Sequence, residues 1–409
     1  MNNSVFFSIV LVSLVQACGP HSSSSETKAV WDDLNSPAIM EKGGTPFKGS
    51  YLNRWNELPL KAELKTVPWS DHYWPTAKGG LTYRWNDWSI KDEELLYSYP
   101  LEDADKIKTA DTAKLSPLEK FDLFLGKTDF PYTVAERDRT RVLRTVASSP
   151  SYDSSYTIPS WEGLCHAWAP ATLAFEEPGA VTLKSKKGLE IEFGSSDVKA
   201  LLVYFLHSVK SPKAVMLGQR CEEDFAGLKT ELDAGTLTQE DYDRRINDAP
   251  CIDTNAGSFH MVIANEIGRR NQGFVVDVTR DQEVWNQPVF AYETKVLEES
   301  QKASPGAAPG TVKEITVETT MKYIQEVTQQ WDPGEAPEAL AEKVYQYRLE
   351  LDSHDGIIGG AWISDERPDF MWKRETPQFK GEFKAIEEIY KASLKAKATS
   401  TKRDQSAAH

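Results

Sequence analysis

The chain has 409 residues, of which 40% are hydrophobic and 11% aromatic. This length and composition are enough for a sizeable hydrophobic core and predict one large folded unit with an additional N-terminal segment. The formal net charge is −15 at pH 7. An acidic chain without a basic stripe cannot neutralise phosphates, so nucleic acid is excluded as a partner.

The first residues predict export. Residues 5–15 form an apolar run too short to span a bilayer, and small residues lead from its end to Cys18. The pattern is typical of a bacterial lipoprotein signal, with residues 1–18 as the signal peptide and Cys18 as the lipidated residue, although Lys and Arg are lacking before the apolar run. An ordinary secretory signal cleaved nearby is the alternative. Both predict a cell-envelope or extracellular location.

Composition divides the rest of the chain. Residues 19–30 predict a flexible tether, and residues 31–156 form an aromatic N-terminal region. Residues 157–390 carry the candidate chemistry and include a flexible insertion at 300–312, rich in Gly, Pro and Ala, while 391–409 predict a disordered tail.

Two helices are marked by their first residues. Ser116 and Glu119 make a capping box with Pro117 at the first helical position. Ser196 precedes a helix whose apolar residues follow one face. They are Val198, Leu201, Leu202, Phe205 and Leu206. We assign this face to the core.

Cys165 is the strongest candidate nucleophile. Residues 167–175 predict an apolar helix whose N-terminus would face the thiol, and a helix dipole stabilises a thiolate. Proline is tolerated only in the first turn, so Pro170 leaves two possibilities. The helix begins near Ala169, or it begins at Cys165 with a distorted second turn. A buried cysteine in the core is the alternative to both.

A catalytic base must come from elsewhere in the chain, because the side chain of the adjacent His166 should diverge from Cys165. Residues 258–266 and 274–279 predict two strands of a hairpin. Pairing centred on the Gly268–Arg269 step would place His260 opposite Asp277. Cysteine, imidazole and carboxylate would then form a triad.

Helices and hairpins occur in separate runs, without a βαβ repeat. This predicts an α+β fold of papain-like, transglutaminase-like arrangement. The thiol would lie at a helix N-terminus, with His260 and Asp277 on a β-hairpin.

The four cysteines divide by role. If Cys18 is lipidated and Cys165 is the nucleophile, then Cys221 and Cys251 remain as a disulfide in an oxidising compartment. Two cysteines without further ligands at suitable spacing do not make a zinc site.

Two motifs resemble a known family. The segment WEGLCHAWAPA at residues 161–171 and VWNQPV at residues 284–289 are similar to the oomycete-type transglutaminase elicitors, which are secreted cell-wall transglutaminases. The resemblance extends over most of residues 69–372. It implies amide acyl transfer by Cys165, with His260 and Asp277 as its partners. VWNQPV resembles the start of the peptide that plants detect, but the following residues differ, so elicitor activity is not implied.

The expected reaction forms isopeptide cross-links between glutamine and lysine side chains of protein substrates through a Cys165 thioester. Trp161 and Trp168 are candidates for shielding the thioester from water, or are simply packed. The same triad would serve a cysteine protease or a glutamine deamidase. A non-catalytic surface lipoprotein that binds wall polymer through tryptophans is the alternative from another class.

No cofactor is required by the covalent chemistry, and no metal site is predicted. Five acidic residues near the C-terminal end of the resemblance could hold calcium, although we favour solvated surface acids. They are Asp352, Asp355, Asp365, Glu366 and Asp369.

Overall fold

The computed structural model describes residues 31–407 except for short gaps, and the side chains of 400–407 are not described. The gaps are residues 45–46, 104–105, 107–108, 211–212, 247–250, 252–253 and 335. The predicted signal peptide, Cys18 and the predicted tether lie outside the described residues.

The helices lie mostly before residue 271, apart from a long C-terminal one. They are α1 (Ala38–Glu41), α2 (Leu95–Ser98), α3 (Pro117–Phe124), α4 (Pro131–Thr140), α5 (Cys165–Ala174), α6 (Ser195–Ser208), α7 (Phe225–Asp233), α8 (Gln239–Ile246), α9 (Ala256–Ile263) and α10 (Phe383–Ala407), with a π-helical turn at Ala264–Arg270. Short 3-10 turns occur at Trp55–Glu57, Thr76–Lys78, Gly80–Thr82, Thr112–Lys114, Val142–Arg144 and Pro337–Ala339.

Within the described ranges, eight strands form one antiparallel sheet and two form a separate hairpin. The strands are β1 (Lys61–Glu63), β2 (Val181–Lys184), β3 (Glu190–Phe193), β4 (Ala214–Gly218), β5 (Phe274–Asp277), β6 (Asn286–Ser300), β7 (Lys313–Ile324), β8 (Leu340–Leu351), β9 (Ile357–Trp362) and β10 (Phe370–Arg374). The large sheet has the order β4-β10-β5-β6-β7-β8-β9, with β1 on β6, and β2 pairs with β3.

The large sheet separates two hydrophobic clusters. Successive residues of a strand point to opposite faces, and Val275 belongs to one cluster whereas Val276 belongs to the other. Helices α5 and α6 pack in the Val275 cluster, and α9 packs in the Val276 cluster. The fold is therefore α+β, as predicted, with helices on both faces of an antiparallel sheet.

The N-terminal aromatic region is built into this core. Trp74 and Phe121 share a cluster with Trp168 and Phe205. In addition, β1 pairs with β6 in the register Ala62 to Tyr292.

Two helices agree with the sequence signals. Helix α3 begins after Ser116, whose backbone N–H donates to the Glu119 carboxylate at 2.9 Å while its hydroxyl accepts from the Glu119 N–H. Helix α6 covers the apolar face assigned to the core.

The structure differs from the prediction at the C-terminal tail. Residues expected to be disordered form part of α10, and Ile389 and Ser393 of this helix are buried. The apolar residues in its first turns supply enough contact with the core to order the segment. The predicted insertion at 300–312 is a loop between β6 and β7, where Ser304 and Ala308 donate backbone hydrogen bonds to Glu314 and Glu350.

The hairpin predicted over residues 258–279 is wrong in its first half. Residues 258–263 belong to α9 and 264–270 to the π-helical turn. Asn255 explains the difference, because its side chain accepts hydrogen bonds from the N–H groups of Gly257 and Ser258 and so caps a helix. The second half is correct, since β5 spans Phe274–Asp277.

Candidate active site

Cys165 is the first residue of α5. The helix therefore begins at Cys165 and contains Pro170 in its second turn, the second of the two predicted possibilities. As the first helical residue, Cys165 presents a backbone N–H without an intrahelical acceptor, and its thiol lies at the positive end of the helix dipole. The side chain is only 6% exposed.

The loop before Cys165 is packed closely against Tyr73. The Leu164 N–H donates to the Tyr73 carbonyl at 2.7 Å. A Cβ atom on Gly163 would lie 2.6 Å from the Tyr73 ring and 2.9 Å from its carbonyl oxygen. Only glycine fits this approach, so the glycine of WEGLCHAWAPA fixes the position of the thiol relative to Tyr73.

The thiol contacts the start of β6 and the residues before it. The Asn286 side-chain amide donates to Sγ at 3.5 Å, and Sγ donates to the Val284 carbonyl at 3.5 Å. The side-chain Oδ1 of Asn286 accepts a 2.6 Å hydrogen bond from the Trp372 indole N–H. Trp372 thus sets which end of the Asn286 amide faces the sulfur.

Burial raises the pKa of the Cys165 thiol, and the Asn286 amide and backbone lower it in part. The carboxylates of Glu326 and Asp277 also raise it. At neutral pH the thiol therefore keeps its proton, and a nucleophilic attack by Cys165 needs a base.

Asp277 is a candidate for that base, because its charge acts on the pKa of the Cys165 thiol and the two groups are therefore neighbours. It ends β5, and its Cα partner in the sheet is Asn286. Its Oδ1 accepts from the Thr279 N–H, the Thr279 hydroxyl and the Trp285 N–H. Its Oδ2 is buried and has no hydrogen-bond partner among the described residues. Burial raises the pKa of Asp277 to about 6, in spite of these hydrogen bonds.

A second carboxylate, that of Glu326, is also a neighbour of the thiol. Glu326 follows β7, and the Gln287 side-chain amide donates to both of its oxygens at 3.2 and 3.1 Å. Burial raises the pKa of Glu326. Its charge raises the pKa of Tyr73 as well as that of Cys165, so the three groups are neighbours.

His260 does not join this group, which corrects the predicted triad. It lies on α9 in the cluster on the opposite face of the sheet from α5. Its Nδ1 bonds to the Tyr347 hydroxyl at 2.8 Å, and its Nε2 has no partner in the described part of the chain. Burial lowers its pKa to about 3. We assign it to the core as a neutral imidazole.

The other histidines near this region have different partners. His166 and His207 bond to each other at 3.0 Å. His72 accepts from the Trp74 N–H through Nδ1. In the described part of the chain, no histidine makes a hydrogen bond to Cys165 or Asp277.

The two tryptophans proposed to shield a thioester are placed differently. Trp168 is fully buried in the core. Trp161 is half-buried, and its ring lies 5.7 Å from the Arg220 guanidinium. Tyr73 is a neighbour of the thiol, and the centroid of its ring lies 5.7 Å from that of Trp285.

Cys221 and Cys251 form the predicted disulfide, and Cys165 is free. The bridge connects the segment after β4 to the entry of α9 rather than to a strand. The Cys221 N–H also donates to the Asp369 carboxylate at 2.9 Å. Among the described residues, no three His, Cys, Asp or Glu side chains are grouped to hold a metal ion.

Known proteins are similar to this chain in sequence and in fold. The family model described as "Transglutaminase elicitor" matches residues 41–390. The chain belongs to the transglutaminase elicitor family. The crystal structure of the GP42 transglutaminase from Phytophthora sojae is similar, with a TM-score of 0.59, 21% identity, and coverage of 85% of this chain and 95% of that chain. At this identity the similarity shows the fold alone. No match was found among curated proteins.

Two residues of the VWNQPV segment, Val284 and Asn286, contact the thiol. Val284, Asn286 and Gln287 provide a carbonyl acceptor, an amide donor and the amide that holds Glu326. Sequence reasoning recognised the motif as a family signature but gave its residues no role. Its distance from Cys165 in the sequence concealed the contact, whereas its amide side chains were the signal that could have indicated one.

A cavity of about 1300 Å³ lies near the other end of α5 and is lined by Trp69, Thr172 and Phe175 among others. Neither Cys165 nor Asp277 lines it.

None of the helices in the described ranges is long and apolar enough to cross a membrane.

Proposed function

We propose that this member of the transglutaminase elicitor family is an exported protein-glutamine γ-glutamyltransferase that uses Cys165 as nucleophile and Asp277 as general base. The observation that carries the proposal is the buried thiol at the start of α5, which accepts from the Asn286 amide and has the Asp277 carboxylate as an electrostatic neighbour. The Oδ2 of Asp277 has no hydrogen-bond partner among the described residues and is left to accept a proton. A base with a pKa of about 6 is suited to proton transfer near neutral pH.

Acylation begins when the Cys165 sulfur attacks the γ-carboxamide carbon of a peptide glutamine. The thiol proton passes to the Asp277 carboxylate as the carbon–sulfur bond forms. The tetrahedral intermediate then expels its nitrogen, which takes the proton from Asp277 and leaves as ammonia. A thioester remains on Cys165.

Deacylation repeats these steps with an amine. A neutral lysine amine attacks the thioester and transfers a proton to Asp277, which returns it to the Cys165 sulfur as that leaves. The product is an isopeptide bond. The backbone N–H of Cys165 and the Asn286 side-chain amide would donate to the oxyanion in both steps, and one such donor is worth about 3 kcal/mol.

The partners follow from this chemistry. They are proteins that present glutamine as the acyl donor and lysine or another primary amine as the acceptor. The disulfide between Cys221 and Cys251 supports an oxidising, extracytoplasmic location. Lipidation of Cys18 would attach the chain to a membrane. No cofactor is needed by the steps above, and a calcium requirement is best tested by chelation.

The test uses dimethylated casein as glutamine donor and dansylcadaverine as amine. We expect the wild-type protein to incorporate the label and release ammonia, and Cys165→Ala to do neither. Ammonia without label would indicate a deamidase, and cleaved casein would indicate a protease. Equal activity of wild type and Cys165→Ala would contradict the assignment of the nucleophile.

A non-catalytic surface protein is the second candidate. It is favoured by the low exposure of Cys165 and by the burial that raises the pKa of its thiol. In that case the wild-type protein would neither release ammonia nor incorporate amine.

A further inference from the structure

Glu326 is a half-buried carboxylate beside the nucleophile that the acyl-transfer steps above do not use. In the described part of the chain, its hydrogen-bond partner is the Gln287 amide and no cation pairs with it. A desolvated carboxylate without a counter-ion is costly to the fold. The cost is offset if a cationic ligand pairs with it during function.

Gln287 supplies a second acceptor at the same place. Its side chain is 3% exposed, and its Nε2 is occupied by Glu326. Its Oε1 is buried and has no partner among the described residues. A carboxylate and an amide oxygen together match the donors of an ammonium group, which has three N–H bonds and no acceptor.

The two acceptors, Glu326 and the Oε1 of Gln287, lie near the Cys165 thiol. Gln287 follows Asn286, whose amide contacts Sγ. Tyr73 lies beside both Glu326 and Cys165 and packs on the Trp285 ring. Glu326 is more exposed than Cys165, so a ligand from solvent reaches this carboxylate more readily than the thiol.

We infer that Glu326 and the Oε1 of Gln287 form the binding site for the acceptor amine, which enters as a lysine-type ammonium and is positioned there to attack the Cys165 thioester. The inference rests on the proposed acyl transfer and adds the selection of a cationic acceptor. After binding, the ammonium gives one proton to the Glu326 carboxylate. The neutral amine then attacks, and the attack follows the deacylation steps already given.

The experiment compares two acceptors with dimethylated casein as donor. Dansylcadaverine carries an ammonium group, whereas hydroxylamine is uncharged at neutral pH. For Glu326→Gln we expect the KM for dansylcadaverine to rise roughly 10- to 100-fold, the effect of losing a charged hydrogen bond. Loss of the Glu326 charge also changes the pKa of Cys165 and so affects acylation equally for both acceptors. The ratio of kcat/KM for dansylcadaverine to that for hydroxylamine should therefore still fall roughly 10- to 100-fold.

Two further variants complete the test. Glu326→Asp keeps the charge and should give an intermediate KM for dansylcadaverine. Glu338→Gln removes an exposed carboxylate from the same connection between β7 and β8 and should leave both acceptors unaffected. An equal effect of Glu326→Gln on both acceptors, or no effect on either, would overturn the inference while the transferase assignment stands. A wild-type protein that forms neither product would remove the proposed function, and the inference with it.

Discussion

Asp277 is placed at a cost to stability. Because burial raises its pKa from 3.8 to about 6, the folded state binds the proton more tightly than the unfolded state. The stabilisation from this group is complete below about pH 4 and is lost as the pH rises to about 6. Above that range the ionised carboxylate destabilises the fold by roughly 2 to 3 kcal/mol.

Asp277→Asn is therefore expected to stabilise the protein at pH 8 and to abolish most of its activity. Asparagine keeps an acceptor for Thr279 and Trp285 but cannot take a proton. We expect a melting temperature above that of the wild type at pH 8, with less gain at pH 4. Turnover should fall roughly 100- to 1,000-fold, since a general base contributes about that much. Calorimetry and amine incorporation measure the two effects.

Two controls distinguish a base from a structural residue. Asp281 lies in the loop after β5, where it accepts from the Glu283 N–H. Asp281→Asn should cost less than about threefold in activity, as surface changes usually do. His260→Gln, once corrected for the folded fraction, should also retain activity. A His260→Gln protein that is fully folded and inactive would make His260 the general base, as in the predicted triad, and Asp277 would no longer have that role.

Asn286 is expected to stabilise the Cys165 thiolate, and a variant of its neighbour Trp372 helps to distinguish this role from an effect on folding. Asn286→Ala should raise the thiol pKa further, because the amide that stabilises the thiolate is lost. Alkylation of Cys165 by iodoacetamide, followed between pH 7 and pH 10, should then shift to higher pH. Trp372→Phe replaces the indole whose N–H orients this amide by a smaller ring but keeps the amide itself, so its shift should be smaller. Identical titration curves for all three proteins would contradict the contact.

At the scale of elements, the sequence predicted helices better than it predicted the segment around His260. Helices α3, α5 and α6 carry first-turn signals or a long apolar face. Residues 258–264 are mostly apolar, with Ser258 and His260 as the exceptions, and such a short segment is compatible with a buried strand or a buried helix. In the structure, the cap at Asn255 favours the helix over the strand. In the sequence, a single asparagine is a weak signal for the start of a helix. Because this segment was predicted as a strand, His260 was placed on the wrong face of the sheet.

The disulfide is an element-scale constraint with a measurable contribution. It joins residues 30 positions apart and connects the segment after β4 with the entry of α9. The chain-entropy model gives about 3 to 4 kcal/mol for a loop of this length. We expect the Cys221→Ser, Cys251→Ser double variant to lose that much unfolding free energy in urea. Cys165 should react with iodoacetamide in both proteins, and protection of Cys165 by a disulfide in the wild type would contradict this pairing.

At the scale of the whole molecule, the site joins segments that are far apart in sequence. Cys165 lies on α5, Asp277 and Asn286 lie on paired strands, and Glu326 follows β7. The sequence indicated the candidate nucleophile Cys165 and the candidate carboxylate Asp277 through local composition and family resemblance. Asn286, Gln287 and Glu326 could not be assigned because their contacts depend on the register of β5 and β6 and on the path of the chain after β7.

The N-terminal aromatic region is expected to be indispensable. Tyr73 supports the loop that carries Cys165, β1 extends the sheet at β6, and Trp74 shares the core of α5. Removing residues 1–156 would expose that core and leave Gly163 and Leu164 without the surface that positions them. A chain of residues 157–409 should therefore lack a cooperative thermal transition and incorporate no dansylcadaverine.

A chain that begins at Trp31 is the matched control, because it keeps every contact described for this region. It should melt in one transition and retain wild-type activity. If proteolysis between residues 140 and 160, followed by removal of the N-terminal fragment, instead yields a folded and more active enzyme, the aromatic region is a detachable pro-segment. The contacts of Tyr73 with the nucleophile loop would then restrain the thiol rather than support it.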